Sequence, residues 1–301
     1  MKYYFQAMRL GRWPRSLAII IGSASFFFIH QKNVQISDFP EILIRITAAF
    51  LLTWAISTVN YLINEVADAP FDIHHPTKHK RPLVSGEIKK WGLLIIGVLL
   101  AGAGLFPAFF FFPRPFFYSL LGLLIAGFIY NVRPVRTKDI PFLDAVSESA
   151  NNPIRFLIGW YAFAATVFPP ISLLLCWWAF GNFLMISKRL SEFRVLKEKA
   201  ADYRRSHRKY SHRSLLFGLI LSSAIFFLLY FFVAAKLNLM YLFFLSPMVL
   251  IYLLLIFKKT ITENSVLEEP EKLMGNLPFA FFTILLLLAF SLSFIFDKVS
   301  Q

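Results

Sequence analysis

Four polar side chains recur at every fourth residue where a long apolar run ends: Asn60, Asn64, Asp68 and Asp72. On a continuous helix, residues four apart drift slowly around one face, so this spacing presents their oxygen atoms side by side. Mg²⁺ is bound by such carboxylate and amide oxygens together with phosphate oxygens of a substrate. The spacing therefore predicts that Asn64, Asp68 and Asp72 hold a metal ion on a diphosphate group.

The bases that follow suit the same chemistry. Lys78 and Arg81 come shortly after Asp72, where they would neutralise the charge of a departing diphosphate. The histidines of this loop are possible transition-metal ligands, but carboxylates beside a diphosphate favour Mg²⁺. His75 precedes a proline, and we interpret that pair as fixing the loop. We expect Asp68, Asp72, Lys78 and Arg81 to be catalytic.

Pro70 leaves the local structure open. A proline inside a helix removes a backbone hydrogen bond, and the residue before it disfavours helical geometry. Either the helix kinks at Pro70, or it ends near Asp68 and Asp72 lies on the following loop.

The elements that must position these residues are membrane helices. The chain has 301 residues, of which 57% are hydrophobic and only 16% charged, against about 25% in soluble domains. Most of its apolar runs approach the ~20 residues that a helix needs to cross a bilayer. The nine runs are roughly 16–30, 41–63, 91–112, 116–130, 141–163, 170–187, 214–235, 238–257 and 277–296. We predict an all-α polytopic membrane protein, a bundle of about nine transmembrane helices forming a single membrane-embedded domain over residues 1–301.

The net charge of +14 comes mainly from basic residues in the loops between the runs, so it does not indicate that the protein binds nucleic acid. Basic residues concentrate before the first run and in alternate loops, with ten of them between runs six and seven. The positive-inside rule then places the N-terminus and the motif loops, at about 64–90 and 188–213, in the cytoplasm. We expect a multi-pass protein of the cell membrane, in contact with membrane lipid and without a nucleic-acid partner.

The fifth run is unusually polar. Its residues Asp144, Glu148, Asn151 and Arg155 recur at helical spacing and must face a cavity or one another rather than lipid. A cavity wall and a hydrogen-bond network between helices are both compatible with this pattern. Gly159 would let a neighbouring helix or a lipid chain approach closely.

The first motif resembles the aspartate-rich signature of the UbiA-type intramembrane prenyltransferase superfamily. The stretch that carries the resemblance reads Asn64-x-x-x-Asp68-x-x-x-Asp72 followed by Lys78-x-x-Arg81-Pro82. Glu65 departs from the family pattern, which has aspartate after the asparagine, but it keeps a carboxylate. The resemblance implies a Mg²⁺-dependent transferase that acts on a polyprenyl lipid, takes a diphosphate-bearing donor and releases diphosphate.

The loop after run six bears on the substrate. Lys188, Arg189 and Glu192 stand there instead of the second aspartate-rich motif of enzymes that prenylate aromatic rings. They could form an ordinary helix-end ion pair. Together with His75-Pro76-Thr77-Lys78, they resemble the branch that transfers phosphoribosyl to a polyprenyl phosphate. That resemblance implies substrate-binding roles for Asn64, His75, Lys138, Lys188, Arg189 and Glu192, with Lys188 and Arg189 holding the 5-phosphate of phosphoribosyl diphosphate.

Phosphoribosyl transfer from phosphoribosyl diphosphate to polyprenyl phosphate is the favoured hypothesis. Transfer of a polyprenyl group from its diphosphate to an aromatic or other small acceptor is the alternative. A lipid or solute transporter is a remote alternative, because the charges gather at helix ends and no inverted repeat of broken helices is visible. A pseudoenzyme that binds lipid without turnover also remains possible, given Glu65 and Pro70.

Overall fold

The computed structural model describes residues 2–30, 35–73, 78–262 and 276–299, and no strand occurs among them. Thirteen α-helices fill most of these residues. They are α1 Lys2–Met8, α2 Ala18–Ile29, α3 Phe39–Asp72, α4 Lys90–Phe111, α5 Arg114–Asn131, α6 Leu143–Ser149, α7 Asn151–Tyr161, α8 Ile171–Leu196, α9 Ala200–Tyr203, α10 His212–Lys236, α11 Met240–Phe244, α12 Ser246–Thr262 and α13 Leu277–Val299. The fold class predicted from the apolar runs, an all-α polytopic membrane protein, is confirmed.

Each of the nine apolar runs carries at least one helix. Within the described ranges, five helices are long and apolar enough to cross a membrane: Phe39–Asp72, Lys90–Phe111, Ile171–Leu196, His212–Lys236 and Leu277–Asp297. The other runs carry shorter helices, so the length of an apolar run does not by itself set the length of its helix.

Two runs differ from the prediction because each is divided into two helices. The fifth run breaks between α6 and α7, and the eighth between α11 and α12. Pro153 lies in the first turn of α7, and Pro247 lies in the first turn of α12. A proline is tolerated in a first turn, where its missing N–H would have no helical partner, whereas it disrupts a helix interior.

The chain forms two compact units, of which the first comprises Met1–Lys138 and Ala150–Pro169. In this unit α3 packs against α4 and α5, and α2 packs against α7. A Cβ atom on Gly159 would lie 1.9 Å from the backbone oxygen of Ile19, so only glycine permits this approach of α2 and α7. Ser23 Oγ donates a hydrogen bond to the Gly159 carbonyl at 2.9 Å. The close approach of a neighbouring helix, predicted for Gly159, therefore occurs.

The second unit comprises Asp139–Ser149 and Pro170–Gln301. Helix α10 runs along α8, which also packs against α6 and α12. Near the end of α13 the carboxylate of Asp297 accepts hydrogen bonds from the backbone N–H groups of Tyr241 and Leu242, at 2.9 and 3.3 Å. These bonds satisfy two of the free N–H groups at the start of α11 and tie it to α13.

Candidate active site

Helix α3 carries the first motif without interruption. It continues through Pro70 to Asp72, so Asp72 is the last residue of the helix and its side chain is buried. The alternative in which the helix ends near Asp68 is therefore wrong. Pro70 is only two residues from the helix end, where the chain loses a single backbone hydrogen bond and little further helix follows.

Asp68 is the centre of a group of polar residues in the first unit. Its Oδ1 atom accepts hydrogen bonds from Arg136 Nη2 at 2.8 Å and from Lys138 Nζ. Lys138 Nζ also donates to Asn131 Oδ1 at 3.0 Å, and the same oxygen accepts from Asn64 Nδ2 at 2.6 Å. The turn after α5 thus supplies the cations that neutralise the α3 carboxylate, and the last residue of α5, Asn131, supplies an amide.

Arg81 approaches three carboxylates of α3. Its Nη1 atom lies 2.5 Å from Asp72 Oδ2, 3.8 Å from Glu65 Oε2 and 4.0 Å from Asp68 Oδ2. The side chain is 21% exposed. Arg81 is therefore a partly accessible cation among the carboxylates. The group it joins, called the first cluster below, consists of Asn64, Glu65, Asp68, Asp72, Arg81, Asn131, Arg136 and Lys138.

Asn131 and Arg136 belong to the first cluster although the sequence did not single them out. Arg136 Nη1 donates to the backbone oxygens of Asn131 and Ala67, at 2.9 and 3.2 Å, and its guanidinium lies over the Phe71 ring at 4.7 Å. The only signal was their place beside Lys138, in the polar stretch that follows the fourth run.

Glu65 is held by a residue from the far N-terminal end of the chain. Arg9 Nη2 donates to Glu65 Oε2 at 3.0 Å, and Glu65 is 2% exposed. Burial lowers the pKa of the Arg9 guanidinium, as do the nearby charges of Arg81 and Arg12, while Glu65 opposes this shift. An arginine remains protonated even so, and Glu65 is the counter-ion that balances it.

Two predicted residues of the first motif are not described in full. His75 lies outside the described residues. Lys78 begins the short 3₁₀ turn Lys78–Lys80, and its side chain lies outside the described part of the structure. The residues of the prediction that the first cluster does bring together are Asn64, Asp68, Asp72, Arg81 and Lys138.

Arg189 is the centre of a different arrangement, in the second unit. Its side chain is 0% exposed, and each of its three nitrogens binds a carboxylate. Nε donates to Asp144 Oδ2 at 2.7 Å, Nη2 to Glu148 Oε2 at 2.6 Å, and Nη1 to both oxygens of Glu192 at 3.2 Å. Asp144 and Glu148 of the fifth run thus meet Arg189 and Glu192 in a network between helices α6 and α8, and the residues predicted in the loop after run six lie within α8.

Further groups surround this network. The second cluster consists of the residues Asp144, Glu148, Lys188, Arg189, Glu192, Arg204, Ser206, His207 and Tyr210. His207 Nε2 lies 2.9 Å from Glu192 Oε2, and Ser206 Oγ donates to Asp144 Oδ2 at 3.1 Å. Arg204 lies farther out, with Nη1 at 3.5 Å from Asp144 Oδ2 and its side chain 20% exposed.

Tyr210 closes the second cluster. Its Oη donates to Asp144 Oδ1 at 2.5 Å and accepts from the Phe142 backbone N–H at 2.6 Å. Burial raises the pKa of the Tyr210 phenol, and the adjacent Asp144 charge raises it further. The phenol therefore remains a hydrogen-bond donor over the physiological range. His207 and Tyr210 belong to the basic stretch after run six, whose pattern gave no indication that these two side chains point inward.

The two clusters differ in what they can bind. Within the described residues, His, Cys, Asp and Glu side chains form no group of three or more that could by itself hold a metal ion. A Mg²⁺ ion that bridges protein and phosphate needs only one or two carboxylates, with phosphate and water completing its octahedron. Cations pair with the carboxylates of both clusters, but in the first cluster Arg81 is 21% exposed and can be displaced, whereas in the second the carboxylates bind Arg189, which is wholly buried.

The chain belongs to the UbiA prenyltransferase family, whose model matches residues 18–286. It is accordingly an integral membrane protein.

Two curated relatives are named decaprenyl-phosphate phosphoribosyltransferase. The one from Mycobacterium tuberculosis strain H37Rv is 27% identical over 188 residues, which cover 62% of this chain and 60% of the relative. The one from Mycolicibacterium smegmatis is 27% identical over 189 residues, covering 62% of this chain and 57% of that protein. The match thus spans about three-fifths of the length of these relatives.

Solved structures of the family share the fold over nearly the whole chain. A UbiA homolog from Archaeoglobus fulgidus bound to DMAPP and Mg²⁺ is 19% identical, with a TM-score of 0.70, and covers 97% of this chain and 98% of its own. The same homolog bound to GPP and Mg²⁺ also has a TM-score of 0.70 at 19% identity, covering 97% and 99% of the two chains. A digeranylgeranylglyceryl phosphate synthase has a TM-score of 0.66 at 19% identity, covering 100% and 99%.

Proposed function

We propose that this chain is a Mg²⁺-dependent transferase that moves phosphoribosyl from phosphoribosyl diphosphate to a polyprenyl phosphate. An oxygen of the acceptor phosphate bonds to C1 of the ribose as the bond from C1 to the diphosphate breaks. The diphosphate leaves with the electron pair, and the products are polyprenylphosphoryl phosphoribose and diphosphate. Residues 1–301 would act as one transferase domain.

The observation that carries this proposal is the first cluster, whose oxygen donors and partly exposed arginine suit a diphosphate held through Mg²⁺. A prenyl diphosphate has one charged end, for which the first cluster suffices. Phosphoribosyl diphosphate carries a 5-phosphate in addition, and the second unit has by itself two partly exposed cations, Lys188 and Arg204, of the kind that bind a phosphate. Both curated relatives described above are named for phosphoribosyl transfer to a polyprenyl phosphate, which supports the same assignment.

The first cluster would act on the leaving diphosphate. Arg81 is partly exposed and bound to Asp72, so it can turn from that carboxylate to a phosphate oxygen without leaving the cluster. Lys138 and Arg136 hold Asp68 in a fixed orientation. Charge stabilisation is the main catalytic task, because negative charge grows on the diphosphate as the bond breaks. The acceptor phosphate is already ionised near neutral pH, so its attack needs no general base.

The first cluster also fits the metal that this chemistry uses. Asn64, Asp68 and Asp72 present oxygen donors only, in agreement with the preference of Mg²⁺. Glu65 Oε1 is a further buried oxygen, with no hydrogen-bond partner among the described residues. Mg²⁺ held by these residues would supply positive charge to the diphosphate oxygens.

Prenyl transfer to a small acceptor is the second candidate, because the first cluster suits any diphosphate donor. The experiment that decides between the two uses purified protein with Mg²⁺, polyprenyl phosphate and labelled phosphoribosyl diphosphate. We expect labelled lipid and diphosphate to form in equal amounts. If a prenyl diphosphate is consumed while no labelled lipid forms, the substrate assignment is wrong. Flux of a solute without any chemical product would indicate a transporter.

We further propose that the protein lies in the cell membrane with its N-terminus and motif loops on the cytoplasmic side. Cys176 is the only cysteine, so Cys176→Ala gives a background for single added cysteines. In that background Ser85→Cys, in the loop after α3, should resist a membrane-impermeant maleimide in intact cells. Ser37→Cys, before α3, should react. The reverse pattern would overturn this orientation.

A further inference from the structure

The N-terminal segment, Lys2–Leu17, is packed on the part of α3 that carries the first motif. Ala7 is 2% exposed and lies in an apolar group with Leu62 and Leu93. Tyr4 contacts α4 so closely that a Cβ atom on Gly92 would lie 2.3 Å from the Tyr4 hydroxyl. The segment is therefore docked on α3, which bears four residues of the first cluster, and on α4.

The backbone of this segment directs Arg9 inward. Arg9 has φ 52° and ψ 43°, the left-handed conformation, at the junction between α1 and the 3₁₀ turn Leu10–Leu17. This conformation costs free energy for a residue with a Cβ atom, so surrounding contacts must maintain it. The Arg9 guanidinium reaches Glu65 at 3.0 Å, across 56 residues of sequence.

Glu65 is shared between two guanidinium groups. Its Oε2 atom lies 3.0 Å from Arg9 Nη2 and 3.8 Å from Arg81 Nη1. Arg81 in turn is closest to Asp72, at 2.5 Å. Because Glu65 is buried, its charge is poorly screened, and it would draw Arg81 toward itself if Arg9 were absent. The closer position of Arg9 leaves Arg81 on Asp72.

We propose that Arg9 is a positioning residue of the diphosphate site. By pairing with Glu65, Arg9 keeps Arg81 bound to Asp72, where Arg81 is available to the leaving diphosphate. The inference rests on the proposed function only for the role of Arg81 toward diphosphate, and it adds to the site a residue from outside both motifs.

The test measures binding of inorganic diphosphate with Mg²⁺ to the full-length protein by calorimetry, together with KM and kcat for the donor. Arg9→Ala should weaken diphosphate binding about tenfold and raise the donor KM, the loss expected for one misplaced charge-assisted contact. Arg9→Lys, which keeps a cation beside Glu65, should stay within about threefold of wild type. Arg12→Ala is the matched control: Arg12 belongs to the same segment but lies over the Tyr61 ring at 5.4 Å, and its removal should leave diphosphate binding unchanged.

A double substitution shows whether Arg9 positions Arg81 or only stabilises the fold. In Glu65→Gln the competitor for Arg81 is gone, so adding Arg9→Ala to that variant should cost less than twofold in diphosphate binding. Equal losses in both backgrounds, or equal losses in the Arg9 and Arg12 variants, would overturn the inference. If wild type binds diphosphate but makes no lipid-linked phosphoribose, the proposed function fails, while the binding comparison still decides the role of Arg9.

Discussion

The two clusters arrange the same kinds of charges in opposite ways. In the first cluster the carboxylates of α3 are central, and cations from other segments reach them from outside. Asp68 and Arg81 keep 15% and 21% of their side chains exposed. In the second cluster a cation is central: Arg189 is wholly buried, and carboxylates from α6 and α8 surround it.

Because of this difference, a cation of the first cluster can exchange its carboxylate for a phosphate, whereas the central cation of the second cluster cannot. Arg81, whose side chain is 21% exposed, can move from Asp72 to a phosphate oxygen when a substrate arrives, since water can replace it during the exchange. A buried arginine with a carboxylate on each nitrogen cannot leave without stranding buried charge, which is strongly unfavourable. We infer that Arg189 holds α6 and α8 together, and that Lys188 and Arg204 provide the contacts to substrate phosphate.

The largest effect is expected for Asp68→Asn in the first cluster. This change removes the charge that binds Lys138 and Arg136 and that would hold the metal, so turnover should fall by about 10²–10³. Its thermal stability should also fall, because Lys138 and Arg136, whose side chains are each 8% exposed, lose the carboxylate that neutralises them, so turnover is compared in folded protein well below the unfolding temperature. The measurement is the rate of diphosphate release at saturating Mg²⁺. Asp38→Asn, the same substitution before the other end of α3, should behave as wild type; equal activity in the two variants would contradict the assignment.

Arg189→Ala should lower the stability of the folded protein. Removing this side chain leaves three carboxylates without their common cation, and breaking a buried ion pair costs about 3–5 kcal/mol. Unfolding by heat or denaturant in detergent measures the loss. Arg205→Ala is the matched control, because Arg205 is 43% exposed and lies 3.9 Å from Asp139, a surface pair that contributes about 0–1 kcal/mol. A stable Arg189→Ala protein that fails only to bind the donor would instead support the direct phosphate contact that the sequence predicted.

A smaller effect, limited to the KM of one donor, is expected for a substitution at the partly exposed side of the second cluster. Lys188→Met keeps an apolar stem but removes a cation, so the KM for phosphoribosyl diphosphate should rise about tenfold with little change in kcat. The KM for a prenyl diphosphate, which lacks the second phosphate, should not change. Lys197→Met provides the control, because Lys197 is an exposed residue directly after the same helix. An equal rise for both donors would remove the support that the second cluster gives to phosphoribosyl transfer.

Much of the fold was predictable because membrane helices are specified locally. An apolar run of about 20 residues must satisfy its backbone hydrogen bonds within itself, and a helix does so. The breaks between α6 and α7 and between α11 and α12 were also encoded locally, by Pro153 and Pro247. The prediction used the length of the apolar runs and did not consider these prolines, so it gave one helix for each run.

The candidate site was predictable only in part. The four-residue spacing brought Asn64, Asp68 and Asp72 onto one face, but no local pattern indicates which cation reaches Asp68. Lys138 lies 70 residues away in sequence, and Arg9 lies 56 residues from Glu65. Arg9 was counted only among the charges that orient the protein in the membrane. Such partners depend on how helices pack, and a periodic apolar pattern carries little information about packing.

The substitution with the smallest expected effect tests whether the Tyr210 phenol interacts with the charge of Asp144. Tyr210→Phe removes the hydrogen bond to Asp144, which keeps Arg189 and Ser206 as partners, so the cost near neutral pH should be about 1 kcal/mol. Because the pKa of Tyr210 is raised in the folded protein, this stabilisation is complete below the unfolded-state pKa of about 10 and is lost as pH rises above it. The unfolding free energies of wild type and Tyr210→Phe, measured from about pH 8 to about pH 11, should therefore converge at the alkaline end. A difference that stays constant across this range would mean that the phenol is not coupled to the Asp144 charge, and the second cluster would then be a less rigid network than its geometry indicates.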